Sequence, residues 1–371
     1  MLRRSAFLTR LLVAWSLIFA VVLVLMGAAL AASQLSIVSW GGTYAESQRK
    51  AYFEPFQELN PGKKILLSNA GGEQVKQLRD QIRFDNVTWD LVDVVAADAI
   101  RLCKEGIALP VWHDAILAPA PDGSTPTQDF GQTIISPCFI PQIVYSTTFG
   151  YRIDKLKSPP TSMCDVFDLV SFPGKRALEK RPINNLEWAL ICDGVPAEQI
   201  YHVLDTDEGV ERALARLSTI KKAIIWWKQG DEPAELLAKG TVVMASAYNG
   251  RLFPLVSKKS PKVAMLWDRQ IFDFDGWIIP KRAPHLNDAL NFVRFATDTQ
   301  RLADQARYIP YGPSRRSSAS LVGTHAELGI DMKPFMPTSV ENAKTALIYN
   351  YDWWAQHRDD IDKRFEIWLA E

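Results

Sequence analysis

Between Leu35 and Glu105 the chain repeats one pattern three times, and this repetition limits the possible folds more than any other feature. Leu35-Ser-Ile-Val-Ser39 reads as a short strand, Gly41-Gly42-Thr43 as a tight turn, and an amphipathic helix follows to about Leu59. Lys64-Ile-Leu-Leu-Ser68 predicts a second strand, with Ala70-Gly71-Gly72 turning into a helix through Arg83. Asp90-Leu-Val-Asp-Val-Val95 predicts a third, followed by Ala96-Ala97-Asp98 and a helix to Glu105. Strand, turn and helix in succession imply right-handed crossovers and a largely parallel sheet. Ligands of such sheets gather at the carboxyl ends of the strands. That rule puts Trp40 to Tyr44, Asn69 to Glu73 and Ala97-Asp98 on one rim.

Downstream, a loop rich in Pro, Asp, Gly, Ser and Thr (119–129) leads into an extended, aromatic and β-branched segment from Ile140 to Tyr151. Residues from Thr161 to about Trp267 read as a second α/β unit. Its helical signals cover Asn184 to Cys192, Pro196 to Val203, Glu208 to Ile220 and Glu232 to Lys239, and Thr241 to Ser246 reads as a buried strand. A long helix is predicted from His285 to about Ala306 and another from Tyr349 to Leu369. Trp226-Trp227 and Trp353-Trp354 fall in helical patterns and read as packing residues. Two α/β lobes joined by extended segments is the architecture these elements predict.

The first thirty-one residues read as an export signal. Arg3, Arg4 and Arg10 precede an uncharged apolar run from Leu11 to Leu30, and Ala29-Leu30-Ala31 offers a small-x-small cleavage site. The run is also near the length of a membrane span, so a retained anchor is the alternative. Removing this segment takes three of 42 basic residues and none of 42 acidic ones, leaving 39 against 42 and a net charge of −3. That charge does not suit a nucleic-acid binder. About 340 residues remain, enough for two separate cores. Four cysteines allow three disulfide connectivities in an oxidising compartment. Pairing by neighbourhood gives Cys103–Cys138 and Cys164–Cys192, and the spacings do not suit zinc.

There is no HExxH, GxSxG, Walker loop or GxGxxG, and the five histidines are scattered without metal-ligand spacing. No catalytic residue, metal or cofactor is expected. The positive signal is Gln270-Ile-Phe-Asp-Phe-Asp-Gly-Trp-Ile-Ile-Pro280, a strand in which Asp273 and Asp275 interrupt a greasy run. On a strand these two share a face, about 6.6 Å apart, with Phe272 and Phe274 on the other. Simple polar-out alternation is one reading, and a carboxylate pair lining a cleft for a cationic ligand is the other. The spacing also resembles an inverting glycosidase pair, but both acids sit on one strand and cannot flank a scissile bond. An exported enzyme using this pair stays as the alternative from another class. Aromatic residues complete the cationic reading: Trp40 and Tyr44 on the first rim, Tyr248 after the strand ending at Ser246, and Tyr311 in Ile309-Pro-Tyr-Gly-Pro313. Aromatic faces attract ammonium groups by about 0.5–2 kcal/mol each.

These features in this order resemble the periplasmic solute-binding proteins of bacterial ABC importers, in particular the spermidine/putrescine-binding group. The resemblance runs over the whole chain after the signal. It is carried by Val38-Ser-Trp-Gly-Gly-Thr-Tyr44, Trp89-Asp-Leu-Val-Asp93, Phe172-Pro-Gly-Lys175, Leu236-Leu-Ala-Lys-Gly240 with Ala247-Tyr-Asn-Gly250, Asp273 to Pro280, Ile309-Pro-Tyr-Gly-Pro-Ser314 and Asp352-Trp-Trp354. It implies an α/β, two-lobe periplasmic-binding-protein fold of type II, with a ligand cleft between hinged lobes. One lobe would comprise residues 32–143 plus about 276–314, the other 144–275 plus about 315–371. It further implies a periplasmic monomer that delivers a cationic solute, a polyamine first and an amino acid or quaternary amine otherwise, to membrane permease subunits. A sensor role beside a membrane receptor is a further alternative. The candidate ligand-binding residues are Trp40, Tyr44, Tyr248, Asp273, Asp275, Trp277 and Tyr311. Asp275 matches the acid that grips an ammonium group. Asp273 replaces an aromatic residue of the polyamine binders, and ligand choice is expected to turn on it. Of the further acids expected near Asn184-Asn-Leu-Glu187, only Glu187 is present.

Overall fold

The computed structural model describes residues 33–258 and 262–371; the export signal expected over residues 1–31 lies outside them. β1 (Ser33–Ser39), β2 (Lys63–Asn69) and β3 (Leu91–Val95) form the predicted parallel unit, β1 pairing in register with β2 from Ser33↔Lys63 to Ser39↔Asn69 and with β3 at Ile37↔Leu91. Alternation explains why β1 and β3 are buried on both faces, while β2 is the exposed edge strand. Leu35, Ile37 and Leu91 pack to one side with Tyr52, Phe56, Trp277 and Phe292, while Val38, Val92 and Val94 pack to the other with Leu78, Leu102 and Phe139. Near-continuous apolar strands between two helical layers are what a parallel sheet requires.

The second half has the same layering around β5 (Arg176–Glu179), β6 (Ile224–Trp227) and β7 (Met244–Tyr248), with β5 parallel to both neighbours. One face holds Phe149, Met163, Trp188, Leu217, Trp354 and Phe365, and the other Trp227, Leu237, Val242 and Leu252. The C-terminal helix Tyr351–Ala370 buries Trp353, Trp354, Ile361, Phe365 and Trp368 along one stripe.

Two long antiparallel strands join the halves. β4 (Ile140–Arg152) pairs with β8 (Val263–Ile278) from Ile140↔Trp277 to Arg152↔Val263. At one end β8 pairs with β3, and at the other β4 pairs with β7, so both strands belong to both halves. The sheet therefore runs β2-β1-β3-β8-β4-β7-β5-β6, with the short strands β9 (Gly312–Pro313) on β4 and β10 (Leu347–Ile348) on β8. Register shifts at Pro141/Ile143 and Thr147/Phe149 bend the shared pair, the usual effect of an extra residue on one strand.

Both disulfides form, Cys103–Cys138 and Cys164–Cys192. Several local expectations change. Trp226-Trp227 lie on strand β6 rather than a helix, because Ile224-Ile225-Trp226-Trp227 is a β-branched and aromatic run. The helix expected from His285 to Ala306 divides into Leu286–Ala296 and Thr299–Ala306, where the Asp298 side chain caps a new N-terminus by accepting from Gln300 N. Among the described residues no helix is long and apolar enough to cross a membrane.

Candidate ligand-binding cleft

The carboxyl ends of β1, β3, β5, β6 and β7 open on a cleft of about 720 Å³ at the junction of the two halves, within the ~300–1,000 Å³ of small-molecule sites. Its floor is the crossing of β4 and β8. Asp275, which pairs with Val95 on one side and Ile143 on the other, is 2% exposed and lines the cleft. Trp40 Nε1 donates to its Oδ2 at 2.6 Å and the Tyr44 hydroxyl to its Oδ1 at 2.8 Å. Burial pushes the Asp275 carboxyl well above the ordinary range, and the neighbouring Asp93 adds to this. No basic side chain among the described residues pairs with Asp275. Ionising it there leaves a buried charge uncompensated, which burial disfavours.

A continuous aromatic wall rises from this floor. Tyr44 and Tyr311 rings lie 6.0 Å apart, Tyr311 and Tyr145 6.0 Å, Tyr145 and Tyr248 5.5 Å, and Tyr248 and Trp227 5.6 Å. Small residues let these rings pack: a Cβ at Gly250 would run into the ring of Tyr311.

Basic residues line the same cleft. Arg181, just beyond the end of β5, pairs with Glu179 at 2.5 Å and donates to the Tyr248 hydroxyl at 3.1 Å. That hydroxyl donates in turn to Glu179 at 2.9 Å. Burial pulls the Arg181 guanidinium down, but Glu179 and the tyrosines around it outweigh this and leave it raised. Arg251, in the helix Asn249–Val256 that follows β7, pairs with Asp231 at 3.0 Å and reaches across to Gly41 O at 3.0 Å and Thr43 Oγ1 at 3.3 Å. The Nε groups of both arginines are buried and have no partner among the described residues, as is Glu179 Oε2. At the far end Arg358 of the C-terminal helix pairs with Asp98 at 2.7 Å. The cleft is thus lined by acids and bases in equal measure, Asp275 being a buried carboxylate without an ion pair among the described residues, and Arg181 and Arg251 each keeping a buried donor without a partner there.

The structure brings Trp40, Tyr44, Tyr248, Asp275 and Tyr311 together at this cleft. It does not bring Asp273 or Trp277 there. Asp273 shares a strand face with Asp275 but is held by the Tyr145 hydroxyl at 3.0 Å and by Phe274 N at 2.7 Å. Burial pushes its carboxyl up to about 7. Trp277 is fully buried in the first core against Tyr52 and Phe292. Glu187, the other acid singled out, lies in the second core's interior, accepting from Trp354 Nε1 and the Tyr201 hydroxyl. Sequence reasoning missed Tyr145, Glu179, Arg181, Trp227 and Arg251. The strand-end rule, applied to β5 and β7, would have found Arg181 and Arg251. Among the described residues no group of three or more His, Cys, Asp or Glu could hold a metal ion.

Comparison with known proteins gives a consistent assignment. The family described as bacterial extracellular solute-binding protein matches residues 51–334. The γ-aminobutyric acid-binding protein of Pseudomonas aeruginosa is 36% identical over 344 residues, covering 92% of this chain and 93% of that one. The solved Atu4243-GABA receptor is 28% identical with a TM-score of 0.77, covering 91% of this chain and 98% of that chain. The PBP MotA from A. tumefaciens B6, solved with glucopine, has a TM-score of 0.80 at 24% identity over 91% of this chain and 99% of its own, a likeness of fold. With two α/β halves, a shared strand pair and a ligand-sized cleft between them, this chain belongs to the bacterial extracellular solute-binding proteins.

Proposed function

We propose that this chain captures a small ω-amino acid, such as γ-aminobutyrate, in the periplasm and delivers it to the permease of an ABC importer. The observation that carries the reading is that one cleft is lined both by Asp275, an acid with no basic partner among the described residues, and by Arg181 and Arg251, whose buried Nε donors have no partner among them. A ligand with an ammonium group at one end and a carboxylate at the other satisfies both sides. A polyamine would satisfy Asp275 and the aromatic wall but would bring a second cation towards the two guanidinium groups. The names of the Pseudomonas relative and of the Atu4243 receptor support the same choice. Each charge-assisted end contributes about 1.5–3 kcal/mol, and aromatic faces around the ammonium about 0.5–2 kcal/mol each. Together these reach the ~8 kcal/mol of micromolar binding.

In this reading one lobe is 32–143 plus about 276–314, the other is 144–275 plus about 315–371, and β4 with β8 is the hinge. Arg251 on one side and Gly41 and Thr43 on the other close over the ligand. Calorimetry of the mature protein with γ-aminobutyrate, putrescine, spermidine, arginine and betaine tests the assignment. Heat from γ-aminobutyrate and none from putrescine is expected. The reverse pattern would restore the polyamine reading and remove the zwitterion.

A further inference from the structure

The cleft floor holds more acid than contact with a ligand requires. Asp93, from β3, is 0% exposed and lies behind Asp275 on the same face of the sheet, Asp93 pairing with Trp277 and Val95 with Asp275. It does not line the cleft. Its Oδ1 accepts from Gln142 Nε2 at 2.5 Å, and its Oδ2 from Gln48 Nε2 at 2.9 Å. Gln48 is itself fixed by Ser39 Oγ, which donates to its Oε1 at 2.6 Å, and it donates to Gln142 Oε1 at 2.9 Å. The Tyr44 hydroxyl stands 3.5 Å from Gln142 Oε1 and 2.8 Å from Asp275 Oδ1. Asp93 and Asp275 therefore flank one buried cluster of amides and a phenol, whose single proton serves either Gln142 Oε1 or Asp275 Oδ1 at a time.

No base among the described residues enters this network. The titratable groups that face it are Tyr44 and Tyr52 from the helical segment after β1, Asp273 from β8 and Tyr311 before β9, with Tyr145 on β4 beyond Asp273. Gln74 adds only a bond to the Asp93 carbonyl. Arg251 acts on Tyr311 and Arg181 on Asp273, and neither forms an ion pair with Asp93 or Asp275 among the described residues. Two ionised carboxylates in such a setting pay desolvation twice and repel each other, and neutral amide donors do not repay this. Burial raises both carboxyls, and such a pair titrates as a unit.

We propose that Asp93 is a positioning residue that sets the charge of Asp275: in the ligand-free protein the pair keeps one proton, and arrival of the ligand's ammonium group at Asp275 expels it. One carboxyl O–H bond breaks, the proton passes to the buffer, and the ammonium keeps its own protons. The site then exchanges a cation for a proton and discriminates against any ligand without a full positive charge. This rests on the reading that an ammonium group binds at Asp275.

The test is calorimetry of γ-aminobutyrate binding to the wild-type protein at pH 7, in two buffers of different protonation enthalpy. The expected result is release of close to one proton, with affinity rising about tenfold per pH unit on the acid side of the network's titration. In Asp93→Asn, release should drop several-fold and affinity should vary less than about twofold per unit over the same range. In parallel, carbon-13 NMR of the aspartate carboxyls in ligand-free protein should show a late titration step that Asp93→Asn abolishes. Tight binding without proton release in wild type overturns the proposal and leaves the ω-amino-acid reading standing. Absence of any heat from γ-aminobutyrate sinks that reading instead, and the ligand-free NMR titration then decides alone: both carboxyls ionised by pH 5 overturns the proposal. If Asp93→Asn does not fold, the wild-type measurements carry the decision.

Discussion

Trp40 Nε1 donates to Asp275 Oδ2 at 2.6 Å, tying the end of β1 to β8 across 235 residues of sequence. The bond sets an indole beside a carboxylate, and an ammonium group is attracted by the face of the one and the charge of the other. It also fixes which acid of β8 faces the cleft.

Replacing Asp275 by Asn should weaken γ-aminobutyrate binding by about tenfold or more, from loss of a charge-assisted bond worth about 1.5–3 kcal/mol. Asp273→Asn should change affinity by less than about threefold, since a group outside the site contributes little directly. Calorimetry on both variants gives the comparison. Equal losses would place Asp273 in the site after all.

Arg251→Gln should separate the two ligand classes. Loss of its guanidinium should weaken a zwitterion by about tenfold or more while leaving putrescine within about threefold, because only the former offers a carboxylate for bidentate pairing. Parallel titrations with the two ligands report the ratio.

Gly42 has φ +55°, and a Cβ there would meet Arg251 and Asp231. Left-handed backbone costs an ordinary residue roughly 1–2 kcal/mol. Gly42→Ala should therefore lower both stability and affinity, the latter by about tenfold as Arg251 is displaced. A variant with wild-type affinity would remove Arg251 from the closing contact.

Glu187 supplies a pH signature independent of the ligand. Burial, outweighing the Trp354 and Tyr201 donors, raises its carboxyl from 4.5 to about 7 in the folded chain. Between those values the folded chain binds a proton that the unfolded chain releases, so stability is lost as pH rises from 4.5 to 7. Glu187→Gln should remove that loss, roughly 3 kcal/mol at most. Denaturant unfolding at pH 5 and pH 8 should show wild type losing more stability than the variant.

The disulfides Cys103–Cys138 and Cys164–Cys192 close segments with sequence separations of 35 and 28. Each should contribute about 3–4 kcal/mol through the unfolded state. Paired Cys→Ser substitution at either bridge should lower the unfolding midpoint by a comparable amount, one bridge costing about as much as the other.

Much of the fold was legible locally. The three strand–turn–helix units after Leu35 pair and cross over as their periodicity requires, since each carries its own apolar strand and the first two their own turn glycines. Both cysteine pairings followed from neighbourhood in the chain. Trp226-Trp227 reads as helical in the sequence yet lies on β6, because a run of four residues carries too little periodicity to separate strand from helix. The helix after His285 was read as continuous because Asp298 acts as a cap only once its side chain reaches Gln300 N.

The sequence by itself determined two α/β halves, the oxidised cysteine pairs and a ligand rim at the strand ends. Only the tertiary structure decided which charges share the cleft. Asp273 and Asp275 have the same residue type, strand and face, yet one is taken up by Tyr145 and the other held open by Trp40 and Tyr44. Arg181 and Arg251 come from strand ends far in sequence from Asp275 and share its cleft because β4 and β8 thread both halves. Local periodicity encodes which face of an element is buried. What a buried charge faces depends on the register of distant strands, and that is settled only when the whole sheet forms.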